Sequence, residues 1–223
     1  MKKSDVLKAI TKLREEEKNR KKKVNFLQSF DLSIALKGID FKKPGNKIDL
    51  IIQLPYPRTK NLKVCALVDK ELSEEAKKYC AMVIEKKDFG EYKSNSRKTR
   101  KLVRSYDFFI AQANIMADIA TTFGKYLGSK RKMPNPKAGL IVPPTSKLEA
   151  LVKKLDKMVI ISQSKSPVIN LKLGAEDMQD EELASNVMTV YNAVEHALPG
   201  GKNQIRALYV KFTMSKAIKV REE

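Results

Sequence analysis

The chain has 223 residues, with 45 Lys or Arg against 26 Asp or Glu, which leaves a formal net charge of +19 at pH 7. Because 42% of the residues are hydrophobic, the composition excludes a disordered polyelectrolyte, and a chain of this length can bury a core without disulfides or a metal. The basic excess favours a polyanionic partner, while the lack of a long apolar run or a signal-peptide core argues against membrane insertion and secretion.

The N-terminal region predicts a helix followed by two strands. Ser4 or Asp5 can cap a helix whose apolar residues recur at helical spacing. Residues 26–36 alternate between two faces, which predicts a strand whose apolar face carries one polar residue, Gln28. Residues 48–54 are a second strand candidate, consistent with an antiparallel pair.

The residue pattern of the predicted strands changes after Pro55 and Pro57, two prolines that stiffen the segment between the two kinds of strand. Beyond them the strand candidates are short, nearly continuous apolar runs separated by helical stretches, as in a parallel sheet that is buried on both faces. The strands are expected at 62–68, 81–84 and 108–111, and the helices at 73–79, 97–104, 114–126 and from 145 or 146, where Ser146 to Glu149 matches a capping box.

Alternating strands return after Lys157. They are expected at 158–163, 168–173 and 208–214, with a helix over 180–198 that ends before Pro199-Gly200-Gly201. Antiparallel-type strands at both ends of the chain therefore enclose a parallel α/β middle. This order predicts a discontinuous α+β domain, 1–57 with 157–223, and an inserted α/β domain, 58–156, joined by two crossings of the chain.

The residues offer no catalytic, metal or cofactor site. His196 lies near the C-terminal end of a helix, where a surface or capping role is favoured over that of a general base. Cys65 and Cys80 lie in apolar segments without further ligands nearby, which is typical of buried thiols in a reducing compartment such as the cytoplasm. No glycine-rich phosphate loop follows any strand candidate.

Three basic clusters, at 18–23, 93–104 and 125–137, favour a nucleic acid as the polyanionic partner. Phosphate contacts supply affinity, whereas selection of a folded RNA requires polar groups that can contact 2′-hydroxyls. Gln28 and Thr213 are suitable if the two ends of the chain meet in one sheet. Two alternatives remain open at this stage, an enzyme that acts on RNA (a nuclease or modifying protein) and a DNA-binding repressor.

Several strings along nearly the whole chain resemble the large-subunit ribosomal stalk protein family, ribosomal protein L-one, in its archaeal branch. They are Asn25 to Leu32, Lys42 to Asp49, Leu54-Pro55, Tyr106 to Ala113, Lys132 to Gly139 and Arg206 to Met214. The resemblance implies a discontinuous α+β domain and an inserted three-layer α/β domain of Rossmann-like form. It also implies a non-enzymatic protein without a cofactor, a monomer within the cytoplasmic ribosome.

The partners that the resemblance implies are large-subunit ribosomal RNA, the deacylated tRNA that leaves the exit site past the mobile stalk, and, in many members, the protein's own messenger RNA, which it represses. The implied RNA-binding residues are Phe26, Gln28, Ser29, Asp31, Lys37, Thr213, Met214 and Ser215. Ser215 departs from the family pattern, which usually has glycine after Thr-Met, and Tyr56-Pro57-Arg58-Thr59 replaces a glycine-containing hinge loop.

Alternative roles exist for several of these residues. Phe26 and Met214 could pack in the core, as apolar side chains on strands usually do. Thr213 and Ser29 could be plain strand formers. Asp31 is expected to be repelled by phosphates unless it accepts a hydrogen bond, so it could instead orient a neighbouring Lys or Arg.

Overall fold

The computed structural model describes residues 1–20, 24–39, 48–58, 62–144, 146–163 and 166–221. The chain forms two compact units, Met1–Thr59 with Lys157–Glu223, and Lys60–Asp156. We call them the discontinuous unit and the inserted unit. In chain order the elements are α1 (Lys3–Lys18), β1 (Ser29–Leu36), β2 (Ile48–Gln53), β3 (Val64–Val68), α2 (Lys70–Tyr79), β4 (Met82–Glu85), α3 (Phe89–Ser94), α4 (Ser96–Ser105), β5 (Phe108–Gln112), α5 (Met116–Ser129), β6 (Ile141–Val142), α6 (Leu148–Leu155), β7 (Met158–Gln163), β8 (Val168–Ala175), α7 (Asp180–Ala197), β9 (Ile205–Phe212) and β10 (Ile218–Val220).

The discontinuous unit has an α+β architecture in which helices cover one face of a sheet. Its four-stranded antiparallel sheet has the order β10-β9-β1-β8, and β2 pairs with β7 in a separate two-stranded ribbon. β1 alternates strictly between buried and half-buried residues, since successive side chains of a strand point to opposite faces. The buried set packs with the apolar stripes of α1 and α7 into one core, which leaves the other face of β1 outside the core.

The inserted unit has three layers, as the resemblance implies. Its parallel sheet has the order β4-β3-β5-β6, and every residue of β3 and β5 is buried, because helices lie on both faces. Cys65, Leu67 and Phe109 belong to the core shared with α3, α4 and α5, and α2 packs with α6. The alternation of strand side chains places α2 and α6 on the opposite face. No helix within the described ranges is both long and apolar enough to cross a membrane.

Two local predictions are wrong. β2 pairs with β7, with Gln53 opposite Met158, rather than with β1. The capping box expected from Ser146 to Glu149 is replaced by a contact between helices, because the backbone N–H of Leu148 donates to the Glu75 carboxylate of α2 at 2.8 Å. The other position considered for this cap, 145, lies outside the described residues. Both errors come from partners that are distant in the sequence.

The ends of several elements also differ from the prediction. β1 begins at Ser29 rather than at Phe26. α1 begins at Lys3, where Asp5 accepts a hydrogen bond from the backbone N–H of Lys2 at 2.9 Å. β9 ends at Phe212, so Thr213 and Met214 fall in a turn instead of a strand.

Candidate nucleic-acid interface

The two ends of the chain meet where β1 begins and β9 ends. Phe30 lies opposite Phe212 in the register, and one step further the backbone N–H of Ser29 donates to Oγ1 of Thr213 at 3.0 Å. In return the N–H of Thr213 donates to the carbonyl of Ser29 at 3.1 Å. These two residues are separated by 184 positions, and the sheet holds them side by side. We call the surface formed by Phe26, Leu27, Ser29, Thr213 and Met214 the sheet-end surface.

The sheet-end surface exposes large apolar side chains. Phe26 is 53% exposed, Leu27 59% and Met214 53%, so the alternative in which Phe26 and Met214 are core residues is wrong. They fall outside the core because Phe26 precedes the start of β1 and Met214 follows the end of β9, and no described helix covers them. Clustered exposed apolar residues of this kind usually mark an interaction site.

Gln28 lies beneath this surface and is only 1% exposed. Its amide Nε2 donates to Oε1 of Glu17 at 2.7 Å, and its Oε1 accepts from the backbone N–H of Met214 at 3.0 Å. Its own carbonyl accepts from the N–H of Glu176 at 2.9 Å. Because a buried amide must have its partners satisfied, Gln28 ties α1 to the turn after β9. Its side chain is therefore a positioning group rather than a solvent-facing contact.

Asp31 lies between two lysines on the half-buried face of the sheet. The register places Lys172 of β8 and Lys211 of β9 directly opposite it, and opposed residues of neighbouring strands share a face. Burial raises the pKa of the Asp31 carboxyl, and Lys211 and Lys172 oppose that rise. The arrangement supports the alternative role of Asp31, in which it orients basic side chains. The three opposed residues Lys172, Asp31 and Lys211 together carry an excess of positive charge.

The remaining two predicted residues are Ser215, which has a structural role in the turn, and Lys37, which lies far from the sheet-end surface. Oγ of Ser215 accepts from the backbone N–H of Phe212 at 2.8 Å, which closes the turn, and among the described non-glycine residues only Arg131 has a positive φ, so this turn does not require glycine. Lys37 is exposed but follows the last residue of β1, roughly 26 Å from Ser29 at the usual rise of a strand. The structure therefore does not bring Lys37 to the sheet-end surface.

Sequence reasoning missed residues on the strands that neighbour β1. Tyr209 and Asn170 flank Ser33 in the register, just as Lys211 and Lys172 flank Asp31, and Lys219 of β10 lies opposite Tyr209. The alternation of apolar and polar residues along β8 and β9 could have indicated which of their side chains lie outside the core. It contained no information about which strands lie beside β1.

The inserted unit does not offer the usual ligand crevice of a parallel sheet. Such crevices lie at the carboxyl ends of the strands where the strand order reverses, here between β3 and β5. Gln112 fills this place at 1% exposure, accepting from the N–H of Asp69 at 2.8 Å and donating to Glu71 at 3.2 Å.

The described residues include no cluster of three or more His, Cys, Asp or Glu that could hold a metal. Cys65 is a buried free thiol, and burial raises the pKa of Cys80 to about 11.

Comparison with known proteins shows one consistent relationship. The profile of the Ribosomal protein L1p/L10e family matches residues 13–216. The large ribosomal subunit protein uL1 of Pyrococcus abyssi is 42% identical over 207 residues, which cover 92% of this chain and 92% of that protein. The proteins of the same name from Methanocaldococcus jannaschii and Methanothermobacter thermautotrophicus are 37% and 35% identical, covering 98% and 97% of this chain and 95% and 98% of their own lengths.

Proposed function

Because the chain belongs to the Ribosomal protein L1p/L10e family, in a branch whose relatives are archaeal, we propose that it binds large-subunit ribosomal RNA through the sheet-end surface of its discontinuous unit. It is a structural protein of the large ribosomal subunit and not an enzyme, and its place is the ribosome in the cytoplasm. The observation that carries the proposal is the sheet-end surface itself, where exposed apolar side chains adjoin polar groups on a strongly basic chain.

The geometry supports binding of folded RNA by shape. Oγ1 of Thr213 accepts from Ser29, so its own O–H remains free to donate, for example to a ribose 2′-hydroxyl. Phe26 and Met214 offer apolar surface for the face of a ribose or a base. Lys172 and Lys211, held beside Asp31, provide cations for phosphates next to this contact. Gln28 holds the turn that presents Thr213 and Met214.

We further propose two activities for the bound protein. As a monomer on the stalk of the large subunit it assists the departure of deacylated tRNA from the exit site, and the free protein represses its own messenger RNA by using the same sheet-end surface. Both proposals rest on the resemblance to the family. If one surface serves both RNAs, the leader of the messenger RNA and the ribosomal RNA compete for the protein.

The test is a filter-binding titration of the full chain against purified large-subunit and small-subunit ribosomal RNA. The wild type is expected to prefer large-subunit RNA. The double variant Phe26→Ala with Met214→Ala should lose about tenfold in affinity, equivalent to ~1.4 kcal/mol, because both side chains are exposed and their removal leaves the core unchanged. Tyr79→Ala, at an exposed aromatic residue of the inserted unit, is the matched control and should bind as the wild type does. Equal affinity of the double variant and the control would refute the sheet-end assignment.

A further inference from the structure

The second and third basic clusters meet in the inserted unit. α4 carries the second cluster, and α5 ends within the third. Between them lies a cleft of about 210 Å³ lined by Arg100, Val103, Arg104, Tyr126, Ser129 and Lys130, which we call the α4–α5 cleft. In the first cluster, by contrast, Arg20 is paired with Glu17 at 3.2 Å, and residues 21–23 lie outside the described part of the chain.

The cations of the α4–α5 cleft have no counterion among the described residues. α4 buries Thr99, Leu102 and Val103 and has no acidic residue in its first turn. On its exposed side, Arg100 and Arg104 form no ion pair with any residue in the described ranges, and the same holds for Arg97, Lys101 and, at the end of α5, Lys130. Because like charges four residues apart on a helix repel each other, binding of an external anion would stabilise this surface.

The cleft is held in shape by its own contacts. Nζ of Lys132 donates to the carbonyl of Val103 at 3.0 Å and to that of Tyr106 at 2.6 Å, and burial lowers the pKa of this amine. This cation thus joins the last turn of α4 to the segment after α5. The Arg100 guanidinium lies 5.9 Å from the centroid of the Tyr126 ring, within the range of a cation–π contact. An aromatic surface and several cations therefore face the same cleft.

We propose that the α4–α5 cleft is a second RNA contact, in which Arg100, Arg104 and Lys130 bind backbone phosphates and Tyr126 stacks on a base. Arg97 to Arg104 extend the charge over roughly 10 Å of helix, which is longer than a single phosphate and suits a polyanion. A membrane surface fits poorly, since helices that bind membranes expose an apolar face, whereas Leu102 and Val103 are buried. The inference rests on the proposed ribosomal RNA binding and extends it to the inserted unit.

The test compares the full-length wild type with the double variant Arg100→Gln, Arg104→Gln, using purified large-subunit ribosomal RNA as the probe at about 50 mM and about 200 mM KCl. Loss of two phosphate contacts lowers the magnitude of the log–log salt slope by about 1.4, so the ratio of wild-type to variant affinity should fall about sevenfold between these salt concentrations. Tyr126→Leu should weaken binding by about fivefold or more at both salt concentrations, because stacking depends little on salt.

The matched control is Lys78→Gln with Lys154→Gln, which removes the same charge from two exposed lysines of α2 and α6 on the opposite face of the sheet. If the arginine variant does not fold, as judged by circular dichroism, Lys130→Gln at the end of α5 replaces it, with half the change in slope. Equal salt slopes for the arginine and lysine variants would overturn the cleft and leave the sheet-end proposal intact. A wild type that fails to bind ribosomal RNA would overturn both. The proposal would also be overturned if the arginine variant lost the wild type's binding to anionic vesicles while its affinity for RNA stayed unchanged. The cleft would then be a contact for a membrane.

Discussion

Replacing Gln28 with Met is expected to destabilise the discontinuous unit although it preserves the length of the side chain. The change removes the hydrogen bond to the Glu17 carboxylate at 2.7 Å and the one accepted from the N–H of Met214 at 3.0 Å. The first involves a charged group and contributes about 1.5–3 kcal/mol, and the second contributes about 0.5–1.5 kcal/mol. The free energy of unfolding should therefore fall by about 2–4.5 kcal/mol.

The measurement is urea unfolding followed by circular dichroism, with Gln53→Met as the control. Gln53 lies at the end of β2 with an exposed side chain, so its replacement should change the free energy of unfolding by less than about 0.5 kcal/mol. If Gln28→Met were as stable as Gln53→Met, the buried amide would not hold the turn after β9. The account of how Thr213 and Met214 are presented would then have to be abandoned.

Three further outcomes are expected. Burial raises the pKa of Asp31, so the folded state binds this proton more tightly than the unfolded state does, and stability falls as pH rises through the folded pKa. The free energy of unfolding of Asp31→Asn in urea, relative to that of the wild type, should therefore increase from about pH 3 to about pH 7, and a constant difference would contradict this. A Cβ at Gly174 would clash with Cδ2 of the buried Leu183, so Gly174→Ala should cost about 1–3 kcal/mol in the same assay, and a neutral result would refute the close packing. Affinity of the wild type for ribosomal RNA should fall with salt at a log–log slope of about −4, as for about five phosphates, and a flat titration would exclude an electrostatic contribution.

Much of the local structure could be predicted because it depends on neighbouring residues. The buried strands of the inserted unit and the helix now seen at Asp180–Ala197 follow from hydrophobic period and from turn residues, which act over a few positions. The apolar face of β1 was visible as an alternation. The partner of β2 was not, because an isolated alternating strand can pair with any other of similar length.

The candidate site was predictable only in part. Phe26 and Met214 could be selected from the sequence, but their exposure depends on where β1 begins and where β9 ends in the sheet. Gln28 was correctly seen as a polar residue among apolar ones, yet its partners, Glu17 and the backbone of Met214, come from two distant parts of the chain. Its role as a positioning group follows from those contacts alone.

The amino-acid sequence by itself determined the basic character of the protein, the type of each strand and its membership of a ribosomal family, since composition, period and motif are properties of consecutive residues. Tertiary structure alone decided that Lys172 and Lys211 flank Asp31 and that Arg100 faces Tyr126 across a cleft. The physical reason is that charge pairing and cleft formation depend on distances between elements. Those distances are set when apolar faces from remote segments are buried together in a common core.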